Sequence, residues 1–168
     1  MSNLPKNIFV TTLGLLASSL AFNTFANQKT QTISINQISS KTSYTLATAA
    51  LKKCSNDGYR VSATVVDLSG NVLAQLRADQ AGVHTLESSR KKAFTAMSMK
   101  RPSGELMTLI AEKPLLKPLQ NMDDNLLFLA GGLPIQVNGN VIGAIGVGGA
   151  PGGHLDVACA ESAIKAAF

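Results

Sequence analysis

Apolar positions along residues 38–56 return every three or four places, so that Leu46, Ala47, Ala50, Leu51 and Cys54 share one face. This spacing predicts a helix. Asn56-Asp57-Gly58 stops it, with Gly58 placed for a left-handed cap. Residues 59–67 (YRVSATVVD) are rich in β-branched side chains and partly alternate, which predicts a strand. Ser69-Gly70-Asn71 turns the chain, and residues 72–78 (VLAQLRA) return as the hairpin partner. A helical period resumes over residues 85–100, with Leu86, Ala93, Phe94 and Met97 on one side. Thr85 is suited to the N-cap, and Glu87 stands in the first turn, where the helix dipole favours an anion.

Arg101-Pro102 ends that helix, and residues 103–112 form a shorter one capped by Ser103. Residues 114–124, with two prolines, read as irregular. Residues 126–129 make a short apolar strand. Residues 133–137 and 141–147 flank Asn138-Gly139, a pair that suits a tight hairpin turn needing positive φ. The glycine-rich loop 148–153 (GGAPGG) leads into a closing helix over residues 155–167. The order α-β-β-α-α-β-β-β-α, with hairpins in place of long crossovers, predicts an α+β arrangement within the broad α/β class. Its sheet is mostly antiparallel, with about five strands, and is flanked by helices.

The first 26 residues carry a different pattern. Lys6 precedes an uncharged run over residues 8–25, and Thr24-Phe25-Ala26 offers the small residues of a cleavage site. We expect a signal peptide over residues 1–26 and one domain over residues 27–168, located in the periplasm or secreted. The alternative, a membrane anchor, needs roughly 20 mostly apolar residues, and this run is broken by Thr, Ser and Asn. The net charge of +5 falls by one when Lys6 leaves. No basic run with interleaved aromatics is present, and export removes the chain from nucleic acid, so none is expected as a partner. In an oxidising compartment Cys54 and Cys159 have one intramolecular pairing open to them. A disulfide there closes a loop of about 100 residues and is worth about 2–4 kcal/mol. Two buried free thiols are the alternative.

Four segments, in order, resemble one family. Val65-Val66-Asp67-Leu68-Ser69-Gly70-Asn71-Val72 is similar to a "VVDxxGxL" hairpin. The run from Arg77 through Asp79 and Gly82 to His84-Thr85 resembles "RxDGAGxHT". Arg90-Lys91-Lys92-Ala93-Phe94-Thr95-Ala96 is similar to "RKAxTA". Gly131-Gly132-Leu133-Pro134-Ile135, with residues 142–150, resembles "GGLPI…GxIGVSGA". Together they are similar to the GlcG/HbpS family of small haem-binding proteins. The resemblance implies small α/β units that assemble into homo-oligomers, several of which bind haem, some in extracytoplasmic sensing or haem handling. Related domains occur beside cobalamin adenosyltransferases and in glycolate-utilisation operons. Two departures stand out: Gln80 where the pattern has Gly, and Gly149 where it has Ser.

Within that resemblance, His84 is the expected iron ligand, since a neutral imidazole ligates haem iron through one nitrogen. Thr85 adjoins it. Arg90 and Lys91, one to two turns on, are expected to meet haem propionates, Arg by a bidentate pairing. His154, after the glycine loop, is the expected second ligand. The plainer alternatives are a loop histidine that bonds a carbonyl and a basic helix face that is solvated. Only two histidines are present, seventy residues apart, which argues against zinc. No serine sits in a Gly-x-Ser-x-Gly elbow, and Asp67 and Asp79 read as turn residues; no catalytic residue is assigned. The leading expectation is an exported haem-binding protein for storage, scavenging or sensing. Whether a membrane sensor partners it is left open. The rivals are an enzyme or accessory acting on a small hydroxy-acid or aldehyde in a pocket of His84, Arg90 and the glycine loop, and a structural oligomer.

Overall fold

The computed structural model describes residues 31–168. The expected signal peptide and its cleavage site lie outside the described residues. Helix α1 spans Ser40–Asn56, β1 Ser62–Val66, β2 Val72–Arg77, α2 Thr85–Met99 and α3 Ser103–Glu112. A 3₁₀ segment, Pro114–Asn121, occupies the stretch read as irregular. Then come β3 (Gly132–Val137), β4 (Asn140–Gly148) and α4 (Gly153–Ala167).

Local chemistry sets most of these boundaries. Ser39 Oγ accepts from Thr42 N and caps α1, while Gly58, at φ +85°, follows its end. The Asp67 carboxylate accepts from the amides of Ser69 (2.8 Å) and Asn71 (2.9 Å), closing the β1–β2 turn. Slight burial raises the Asp67 pKa, but the hydrogen bonds from Asn71, Ser69 and Gly70 together outweigh it and hold the carboxyl below its usual range. Asn138 (φ 51°) and Gly139 (φ 77°) both take the left-handed conformation that an Asn-Gly hairpin turn requires. Gln80 does the same at φ 65°, holding a conformation that glycine reaches at lower cost.

The four strands form one antiparallel sheet in the order β2-β1-β4-β3. The fifth expected strand, residues 126–129, does not form. Leu126 and Phe128 are drawn instead into a satellite cluster with Leu106 and Ile110, and the Leu127 amide donates to Thr95 Oγ1 at 2.7 Å rather than to a ladder. The α+β class stands, with one strand fewer than expected.

Both faces of the sheet are covered. Ala63, Val65, Ile145, Val147, Leu133 and Ile135 pack with α1 and α4 in the main core. The opposite face of β1 carries Ser62 and Thr64, which the sequence presents as polar and which are nevertheless fully buried. They hydrogen-bond to α2, Ser62 Oγ with Thr85 Oγ1 at 2.7 Å and Thr64 Oγ1 with Ser89 Oγ at 2.8 Å. Opposite them in register stand Gly148 and Gly146, and Gly132 pairs with Gly146. A Cβ on Gly146 would overlap Ser89 O, and one on Gly132 would overlap Lys92 O. Helix α2 therefore rests with its backbone against a lane of glycines.

Cys54 in α1 and Cys159 in α4 are joined by a disulfide, with Cα atoms 5.6 Å apart and a sequence separation of 105. Because the closed loop is long, replacing both cysteines by Ala is expected to lower unfolding free energy by about 2–4 kcal/mol. Urea denaturation of the variant, and of the native chain with and without reductant, measures this. Gly146→Ala is expected to cost about 1–3 kcal/mol by overpacking, since α2 must move away from the sheet. The same denaturation assay reads it.

Candidate functional site

Where α2 begins, the chain arrives through Gly82-Val83-His84, and where α4 begins it arrives through Gly152-Gly153-His154. In both places the imidazole folds back over the glycine two residues earlier. A Cβ on Gly82 would lie 2.7 Å from His84 Cε1, and one on Gly152 would lie 2.7 Å from His154 Cε1. Each ring thus takes a position that any larger residue would deny it. The two histidines, seventy residues apart in the chain, border one cavity of about 550 Å³.

His84, Ser88 and Lys92 supply one wall, at the four-residue spacing that puts side chains on a single helix face. The loop 149–152 and the first turn of α4 form the opposite wall. Met107, Leu129 and Ala130 give the rim an apolar side.

Two of the lining residues form a charged pair. Lys92, only 5 % exposed, donates from Nζ to Asp156 Oδ2 at 2.8 Å and to Val147 O at 3.1 Å. Asp156, 2 % exposed, accepts in addition from the Ala150 amide at 3.1 Å and from the Gly149 amide. Burial pushes the Asp156 carboxyl above its ordinary range, against the opposing pull of Lys92 and the two amides. One ion pair thus ties α2 to the last strand, to the glycine loop and to the first turn of α4. A side chain at Gly131 would meet Val147 O, Lys92 Nζ and Asp156 Cβ, so this pair also needs a glycine beside it.

The structure brings together some of the residues expected from sequence and not others. His84 and His154 both line the cavity. Thr85 does not line it: the residue is 2 % exposed, with its hydroxyl shared between Ser62 Oγ (2.7 Å) and Gly82 O (2.6 Å). Arg90 and Lys91 are absent from the cavity lining. At 100° per residue Arg90 stands about 200° from both Ser88 and Lys92 around the helix. Its guanidinium is bound to Glu87 at 2.9 Å and to Asn125 Oδ1 at 3.0 Å, and its hydrogen bonds hold the Glu87 carboxyl below the usual range. The basic group on the wall is instead Lys92. Sequence reasoning missed it, although its eight-residue offset from His84 was there to be used.

Comparison with known proteins places these features in a wider group. Residues 38–165 match the family model described as haem degrading protein HbpS-like. The chain is similar to the crystal structure of HbpS, at 37 % identity, over 81 % of this chain and 94 % of that one, with a TM-score of 0.76. It is similar also to PduOC, solved as a complex with haem, at 26 % identity over 79 % of this chain and 95 % of that one, with a TM-score of 0.71. A 15.0 kDa protein from the dhaT-dhaS intergenic region of Citrobacter freundii is 37 % identical over 87 residues, 51 % of this chain. The match spans 61 % of that relative's length.

Lys92→Met leaves the Asp156 carboxylate buried without its partner, and at neutral pH is expected to cost about 3–5 kcal/mol. Without Lys92 the Asp156 pKa rises further. A carboxyl whose folded pKa exceeds its unfolded value makes a contribution that is complete below 3.8 and lost as pH rises through the folded value. The defect of the variant should therefore shrink as pH is lowered from neutrality toward 3.8. Denaturation midpoints across that range, relative to the native chain at each pH, test the sign.

Proposed function

Since the chain belongs to the HbpS-like family, we propose that it is an exported haem-binding protein, acting as a homo-oligomer in haem storage, scavenging or sensing. The observation that carries this reading is that His84 and His154 line one cavity. Imidazole is a common protein ligand to haem iron, and both rings are exposed at the cavity wall rather than buried as core.

The cavity also fits the rest of the group. Its volume of about 550 Å³ lies within the usual range for cofactor sites, and Met107, Leu129, Ala130 and Pro151 offer apolar surface to a macrocycle. When bound, haem would supply a redox-active iron. His84 and His154 would hold the iron. That PduOC is solved with haem supports the same reading.

Export is supported by the disulfide, which forms and persists in oxidising compartments. Among the described residues no helix is long and apolar enough to cross a membrane. Assembly into a homo-oligomer is supported by exposed apolar side chains beside the cavity, Val83 at 79 % and Leu129 at 48 %.

A haem titration followed by Soret absorbance tests the proposal. The native protein should saturate at one haem per chain with a bis-imidazole signature. His84→Ala should weaken binding by at least about tenfold, equivalent to about 1.4 kcal/mol, and change the axial spectrum. His154→Ala should leave one imidazole and a distinct five-coordinate spectrum. Indifference of both binding and spectrum to the two substitutions would remove the histidines from the site.

A further inference from the structure

Haem ligation by histidine leaves the amine of Lys92 without a chemical task. We propose that Lys92 is a carbonyl-reactive lysine, and that the cavity takes a small aldehyde that condenses with its Nζ to form an imine. This goes beyond the haem reading and does not depend on it, because it uses a different residue and no iron.

The geometry supports it in three ways. Lys92 is 5 % exposed as a residue, yet it lines the 550 Å³ cavity together with His84, Ser88 and His154. Its Nζ has two protein acceptors, Val147 O at 3.1 Å and Asp156 Oδ2 at 2.8 Å. An ammonium nitrogen is tetrahedral and carries three protons. With the Cε bond and two hydrogen bonds fixed by the protein, the third N–H has no acceptor among the described residues. The site also suits a neutral ligand better than an anion. Lys92 and Asp156 cancel one another, and an added carboxylate would stand beside Asp156.

The step balances without an outside reagent. A proton first passes from Nζ to the Asp156 carboxylate at 2.8 Å, which frees the nitrogen lone pair, and the Nζ–C bond then forms as the carbonyl π bond opens. The carbonyl oxygen then leaves as water with two of the three ammonium protons. The product is a protonated imine, which retains the positive charge and one N–H for Asp156, while Val147 O is released. His84 and His154 border the same space and are placed to pass protons during the loss of water.

Reductive trapping distinguishes this role from a purely structural one. The full chain is incubated with glycolaldehyde and cyanoborohydride, and modification at each lysine is followed by peptide mass spectrometry. A lysine that only braces the fold, buried as Lys92 is, should be modified more slowly than exposed Lys52, Lys100 and Lys117. If the cavity holds the aldehyde against Nζ, Lys92 should be modified at least about tenfold faster than those three. Equal or slower modification overturns the proposal. Met107→Trp narrows the mouth at a position 40 % exposed, where a larger side chain is compatible with folding. It should slow modification of Lys92 severalfold and leave Lys52 and Lys117 unchanged. An unchanged rate at Lys92 would overturn the cavity as the route. Haem is left out of the assay, so failure here and failure of haem binding are separate results.

Discussion

The close seating of α2 on the sheet is the constraint from which the site follows. A helix packed on a sheet through ordinary side chains stands about 10 Å from it, beyond the reach at which a lysine can bond both a strand carbonyl and the next helix. Here Gly132 and Gly146 let the backbone of α2 descend until Ser89 O and Lys92 O occupy the space of the missing Cβ atoms. Lys92 can then bond Val147 O and Asp156 Oδ2 together. The price is a face of the sheet with few apolar groups, and the hydrogen bonds of Ser62 and Thr64 to Thr85 and Ser89 satisfy the polar atoms buried there. Stability is supplied largely from the other face, where α1 and α4 share an apolar core and a disulfide.

Much of this architecture was legible from the chain. The α1 period, both hairpins and the closing helix depend on local signals: three- and four-residue spacing, Asn138-Gly139, and the turn at Asp67. The strand expected over residues 126–129 failed because apolarity in a four-residue stretch does not say whether the partner is a strand or a satellite core. The polar identity of Ser62 and Thr64 was no guide to exposure either. Their burial depends on two hydroxyls more than twenty residues away, and periodicity carries no information about such pairings.

The site was legible to a similar extent, and its errors have one cause. His84 and His154 stand out because they are the two histidines of the chain and each falls at a helix start. Arg90 was chosen over Lys92 by charge type and proximity along the chain. Around a helix the relevant distance is angular: Ser88 and Lys92 follow His84 at intervals of four, while Arg90 is carried to another flank and neutralised by Glu87. A buried lysine is also discounted in any reading of sequence, because its cost is relieved only by a partner 64 residues further on.

The same ion pair bears on how one cavity could serve two chemistries. Its charges sum to zero, so the pair does not favour anions through net charge, and the selectivity of the cavity must come from its walls. Met107, Leu129 and Ala130 offer a flat apolar body a matching surface, and the two imidazoles in the same lining are the groups that would hold its iron. Macrocycle and small carbonyl compound would occupy the same cavity, which makes them competitors by geometry even though different residues would hold them.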